Sequence, residues 1–169
     1  MKHIITSATD QLTVKMSEKG AILKDQAEYI FGSISRTVEG ISDEDAKWKP
    51  TEESNSIAWT LNHMSRIANV SIPRIIKGNQ EYAPAGWPDD YRDKDYTVEK
   101  MLGDIDAAKE VVLTGIGNLT SEQLEEEIPL WRGTQKRKTG IFAYLGELVH
   151  HRGQIAYLKG TQKRLKEKK

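Results

Sequence analysis

The chain has 169 residues, of which 37% are apolar and 30% charged, with 25 basic residues against 25 acidic ones and no cysteine. That is enough for one domain with a real core and too apolar for a disordered chain. The balanced charge provides no field to recruit nucleic acid or a membrane surface, and the missing cysteine excludes disulfides, thiolate metal sites and a cysteine nucleophile.

The N-terminus, MKHIITSATDQ, lacks the continuous apolar stretch of a signal peptide, and no apolar run is long enough to span a bilayer, so a cytoplasmic protein is expected. Residues 1–15 are expected to be a tail in which His3 has no role. The first helix is predicted from about Ser17 to Gly40, where Ile22, Ala27, Ile30, Ile34, Val38 and Ile41 recur near the helical period. The second follows the cap-like Ser54-Asn55-Ser56 and runs to Gly78, with Ile57, Leu61, Met64, Ala68, Ile72 and Ile75 in one stripe. Pro73 predicts a kink or an early end in its last turns.

Residues 79–96 hold two prolines and several turn residues and read as a long loop crossing the bundle. The third helix is predicted to open at Thr97 as N-cap and to bury Val98, Met101, Leu102, Ile105, Ala108, Val112 and Ile116. Residues 120–138 read as a short helix and two extended pieces turning at Arg132-Gly133-Thr134. The fourth helix is predicted from about Thr139 to Lys159 on Ile141, Tyr144, Leu145, Leu148, Ile155 and Leu158, followed by a basic tail at 160–169. Four amphipathic helices with long connections after the second and third predict an all-α four-helix bundle, one domain over 1–169.

On the fourth helix Glu147 and His151 are four residues apart and share a face, whereas His150 points about 100° away toward solvent. His63 occupies the matching shoulder of the second helix, one turn after Trp59. If those helices are neighbours, His63, Glu147 and His151 can converge as two nitrogens and one oxygen. Such a set suits zinc, nickel or iron(II) with open positions. The plainer alternative is a surface Glu–His helix pair worth a few tenths of a kcal/mol.

Around these lie Arg152, which could reach a carboxylate or the acidic groups of a thiol cofactor but is expected first to pair with an acidic neighbour or pack its stem, and Gln154, placed to hydrogen-bond a ligand. Gly153, costly inside a helix, predicts close approach of another helix. Trp59 and Tyr144 read first as core, with a substrate cleft as the other use for both. Trp87 reads as a loop residue over a pocket or dimer surface, and Trp48 and Trp131 as plugs at helix ends.

The run SNSIAWTLNHM at 54–64, after Trp48-Lys49-Pro50, together with ELVHHRGQIAYL at 147–158, resembles the DinB/YfiT-like bundle proteins. The resemblance implies an up-up-down-down bundle, often a homodimer, with a divalent metal held by three histidines. His63 matches the ligand of the second helix and His151 the second ligand of the last helix. Glu147 stands where the first ligand of the last helix is usually histidine. Relatives imply thiol-dependent S-transferase or hydrolase chemistry on a small molecule, with a low-molecular-weight thiol as cosubstrate. The alternative is a non-catalytic stress-response binding or dimerisation module with a degenerate metal site.

Overall fold

Residues 16–168 are described by a computed structural model of the chain. The expected tail at 1–15, with His3, lies outside these residues. Helix α1 (Glu18–Val38) starts where the Ser17 hydroxyl accepts the Gly20 amide, and buries Ala27, Ile30, Ile34 and Val38. Ile22 departs from the expected stripe: it is 69% exposed and lies beside Phe142 in a shallow apolar groove. The next connection carries a short helix that apolar spacing does not announce, α2 (Asp43–Lys47), capped by Ser42, with Trp48 packed against the core as a plug.

The second long helix is built in three pieces. Helix α3 (Ile57–Arg66) opens on the Ser56 hydroxyl, which accepts the Trp59 amide. A π-helical turn follows at Ile67–Ser71, and then α4 (Ile72–Lys77). Pro73 explains the insertion. It lacks an amide and its ring crowds the carbonyl four residues back, so an ordinary α-helix would break there. Here the Ile72 amide reaches back five residues to Ile67 O, widening the helix and carrying the stripe past the proline. Ile57, Leu61, Met64, Ala68, Ile72 and Ile75 all stay buried. Gly78 ends the rod at φ 62°, a left-handed conformation that glycine adopts without steric cost.

Helix α5 (Val98–Gly117) starts at Thr97 and α6 (Ser121–Glu125) at Thr120, the latter with a reciprocal capping box from Gln123. Strands β1 (Glu127–Leu130) and β2 (Gly133–Lys136) then form an antiparallel hairpin. Its turn falls at Trp131-Arg132, earlier than Arg132-Gly133-Thr134, because Leu130 pairs with Gly133. Trp131 is not a plug: it is 59% exposed and faces Tyr144, which packs on the core.

Helix α7 (Arg137–Lys166) continues through most of the expected basic tail at 160–169. Asp45 on α2 holds it there, accepting from Gln162 Nε2 at 3.0 Å and from Lys166 Nζ at 2.6 Å. At its other end the buried Arg137 donates to Ile76 O and to Glu126 Oε2, satisfying a carbonyl at the end of α4.

The long helices pack in a ring, α1 against α5 and α7, and α3 against the same two. Their directions differ from up-up-down-down. The starts of α1 and α7 meet around Lys19, Ile22, Lys138 and Phe142, and their ends meet where Lys159 donates to Thr37 O, so these two are parallel. The rod α3–α4 runs parallel to α5, since Asn62 reaches Tyr91 O, Asn69 reaches Asp104 O and Ile76 faces Gly115. It runs antiparallel to α7, with His63 beside His151 and Ile75 beside Gly140. The order is therefore up-down-down-up. The reason lies in the connection at 78–97: parallel neighbours require the chain to return the length of the bundle, which is about 30 Å for a helix of some twenty residues. Some eighteen extended residues, at about 3.3 Å each, cover that distance with slack.

Gly153 corrects another expectation. No atom stands within 4 Å of a Cβ built on it, so no helix approaches closely. Gly153→Ala should raise stability by about 1 kcal/mol through helix propensity, measurable as a higher denaturation midpoint. Gly140 is the opposite case: an added Cβ would lie 2.8 Å from Leu130 and 3.2 Å from Ile75.

Candidate functional site

Because α3 and α7 are antiparallel neighbours, the shoulder of each meets the other midway along the bundle. His63 and His151 come together there with ring centroids 4.6 Å apart and ring planes at 89°. His151 is buried and His63 half-buried. Glu147, one turn before His151, places Oε2 3.5 Å from His151 Nε2 and keeps a half-exposed side chain.

Gln154 fixes the other side of the ring. Its Oε1 lies 2.9 Å from His151 Nδ1 and its Nε2 lies 3.0 Å from His150 Nε2. With the amide oxygen facing His151, Nδ1 is the donor of that bond, and Nε2 lies on the side of Glu147. The amide nitrogen then donates to His150. The exposed His150, whose ring stands 5.2 Å from that of His151, anchors Gln154 from the solvent side.

His63 is held below the ordinary imidazole pKa, first by burial, then by the neighbouring His151 and Arg66, with Glu147 acting the other way. Its folded pKa therefore lies under the unfolded value near 6.5, and the unfolded chain binds more protons between the two. Stability of chelator-treated protein should rise with pH through that window and level off above it. Denaturation midpoints collected from about pH 5 to pH 8 should show the rise, and His63→Gln should flatten it.

Trp59 does not sit in the core. It is 49% exposed and stacks on His63 at 5.5 Å with rings 22° from parallel, covering one face of the imidazole. Arg152 makes no ion pair among the described residues. Its Nε is buried without a hydrogen-bond partner, while the side chain lines a groove of about 760 Å³ with Thr60, His150, Gln154 and Tyr157.

A second cleft, of about 210 Å³, borders His63 on the side of the 78–97 connection and is lined by Arg66, Arg74 and Trp87. Trp87 stacks on the buried Tyr91 at 4.2 Å, so the expected loop residue over a pocket is found there. Sequence patterning alone does not single out Arg66 and Arg74. Their signal was available: they lie three and eleven residues after His63, on the same flank of one helix.

The donor chemistry at the centre fits a divalent cation in part. Two ligand atoms on a tetrahedral zinc stand about 3.4 Å apart, close to the separation of Glu147 Oε2 and His151 Nε2. His63 contacts the same ring edge-on, and among the described residues no three His, Asp or Glu side chains form a closed ligand set. No helix of the described residues is long and apolar enough to cross a membrane.

A sequence model of the DinB superfamily matches residues 32–155, a span that contains His63, Glu147, His151 and Gln154. Among solved structures, a conserved protein from Enterococcus faecalis is similar with a TM-score of 0.64 at 13% identity, covering 82% of this chain and 93% of its own. A protein from Streptococcus pneumoniae is similar with a TM-score of 0.68 at 15% identity, covering 88% and 94%. No curated protein matches the chain. Identities this low speak to the fold, and the fold they share is the helical bundle described above. With most of its length matched by the family model, the chain belongs to the DinB superfamily.

Proposed function

We propose that the protein is a divalent-metal-dependent enzyme of the thiol S-transferase or hydrolase type, with His63, Glu147 and His151 as ligands to zinc, nickel or iron(II). The observation that carries this reading is the placing of the His151 ring, with Nδ1 against Gln154 Oε1 and Nε2 turned toward Glu147, beside the His63 ring. Ligating histidines in metal sites are held in this manner by an outer oxygen. Burial keeps His63 neutral near pH 7, so its ring nitrogen is also open to a metal.

A cation bound by these residues supplies acidity: it lowers the pKa of a thiol or a water and so provides a nucleophile near neutral pH. The remaining work belongs to the chain. Glu147 contributes one negative charge, softening the charge of the centre relative to three neutral ligands. Trp59 covers His63 and restricts water on that face. The cleft bordering His63 gives a small molecule an approach to that ring, and the groove along Gln154 and Arg152 lies behind the His151–Gln154 contact.

The exchange of histidine for Glu147 makes the reading testable by composition. Protein purified without a metal-affinity tag should carry about one equivalent of zinc, nickel or iron, and Glu147→His should hold it more tightly without changing the number of sites. Metal found only in Glu147→His would show a degenerate site, and with it the non-catalytic module.

A further inference from the structure

The cleft beside His63 concentrates positive charge that no counterion inside the protein meets. Its walls are Arg66 at the end of α3, Arg74 in α4, and Trp87 and Asp89 on the 78–97 connection, enclosing about 210 Å³. Both arginines are half-buried. Among the described residues the Arg66 guanidinium has no hydrogen-bond or ion-pair partner. Arg74 has one, from Nε to Tyr82 O at 2.8 Å. That bond fixes the plane of the Arg74 guanidinium and leaves its two terminal nitrogens free, the edge that accepts a carboxylate through two parallel hydrogen bonds. Asp89 lines the cleft and yet pairs with neither arginine, and its side chain is exposed.

Two half-buried guanidiniums lining one cleft each give up part of their hydration there without a protein carboxylate in return. A surface built only for solubility would pair them or turn them outward. The π-helical turn between them instead keeps both on the flank that faces the connection, and the stacking of Trp87 on Tyr91 holds the opposite wall. The volume is below the ~300–1,000 Å³ of pockets that enclose a drug-sized ligand, so the cleft takes one end of a molecule or a very small one. Asp89 at the rim disfavours a dianionic group more than a singly charged one.

We propose that this cleft is a carboxylate subsite, in which Arg66 and Arg74 bind a carboxylate of a small organic acid and direct the rest of that molecule toward His63. The direction of the substrate rests on the metal site proposed above; the subsite itself does not.

The test is a titration of the wild-type protein with sodium acetate, sodium succinate and inorganic phosphate at matched ionic strength, in chelator-treated and in zinc-supplemented samples. The arginine Nε–H and tryptophan indole signals are followed by NMR. Succinate should give saturable shifts at Arg66, Arg74 and Trp87 in both samples. Arg66→Gln and Arg74→Gln should each weaken it by about 10- to 100-fold, the span expected for losing a charge-assisted hydrogen bond. Arg66→Lys should recover only part of that loss, since it restores the charge without the fork. Zinc binding should be unchanged in all three variants. Absence of saturable shifts at these residues in the wild type, with or without zinc, would overturn the subsite. Tighter binding of phosphate than of either carboxylate would overturn the choice of ligand. Succinate bound in a protein that takes up no zinc would uphold the subsite and remove the metal reading instead.

Discussion

His151→Ala should lower affinity for zinc or nickel by more than about 100-fold, and Gln154→Leu by about 10- to 100-fold, although Gln154 is not itself a proposed ligand. The argument is the tautomer. Gln154 Oε1 is the acceptor for His151 Nδ1, and removing it lets the ring protonate on either nitrogen and turn. The ring then has to be reoriented and deprotonated at Nε2 whenever a cation binds. His150→Ala should have a smaller effect than Gln154→Leu, because His150 only steadies the amide from the solvent side. Calorimetric titration of tag-free protein with each metal, across these three variants, measures the order directly. Equal affinities for wild type and Gln154→Leu would reduce the Gln154 contact to a surface hydrogen bond.

The largest loss of stability outside the apolar core is expected at Tyr91. Tyr91→Ala should cost about 3–5 kcal/mol, the usual range for removing a buried aromatic ring. Tyr91→Phe should cost about 1–3 kcal/mol for the hydroxyl alone. The ring is almost wholly buried between Trp87 and Tyr96. Its hydroxyl donates to Asp104 Oδ2 at 2.6 Å and lies 2.9 Å from Ser65 Oγ, while Asn62 donates to its backbone carbonyl. Burial, followed by the bond to Asp104, drives the phenol well above its ordinary pKa, so the hydroxyl remains a donor at neutral pH. One residue thus binds the returning connection to both α3 and α5. Denaturant titrations of the two variants measure the difference. Because Trp87 stacks on this ring, Tyr91→Ala should also change the tryptophan environment at the cleft before global unfolding.

Much of this architecture is legible in the chain. The apolar spacing gives all four long helices, and Ser17, Ser56 and Thr97 mark their starts because a hydroxyl there accepts an otherwise orphaned amide. Spacing says which face of a helix turns inward and nothing about the direction of its neighbour, so the up-down-down-up order emerges only from contacts such as Asn69 with Asp104. The length of the 79–96 connection was the available clue, since a parallel pair needs a returning chain. The five-residue helix α2 is too short to display a period, and α7 outlasts its apolar stripe because Gln162 and Lys166 bind Asp45.

At the candidate site the sequence places His63, Glu147 and His151 on facing shoulders; in the structure the His151 ring meets His63 on one side and Glu147 on the other, without a closed three-residue set among the described residues. Two residues are judged wrongly by residue type. Trp59 is apolar and yet half-exposed, because its position on the helix follows the imidazole it covers rather than the core stripe. Gly153 suggests a close contact and instead borders an open groove, since a missing side chain widens a cleft as readily as it admits a helix. Arg66 and Arg74 escape notice because arginine on a helix flank is ordinary until the opposing wall, here Trp87, is known.

The central claim is that His63 and His151 are ligands to one cation. Its most direct test is a zinc titration of tag-free, chelator-treated protein, observed through the imidazole resonances of His63, His150 and His151. The account predicts that the signals of His63 and His151 move together and saturate at one equivalent, with the Nδ1 proton of His151 retained. Absence of a saturable shift at both rings, or movement confined to the exposed His150, would contradict it.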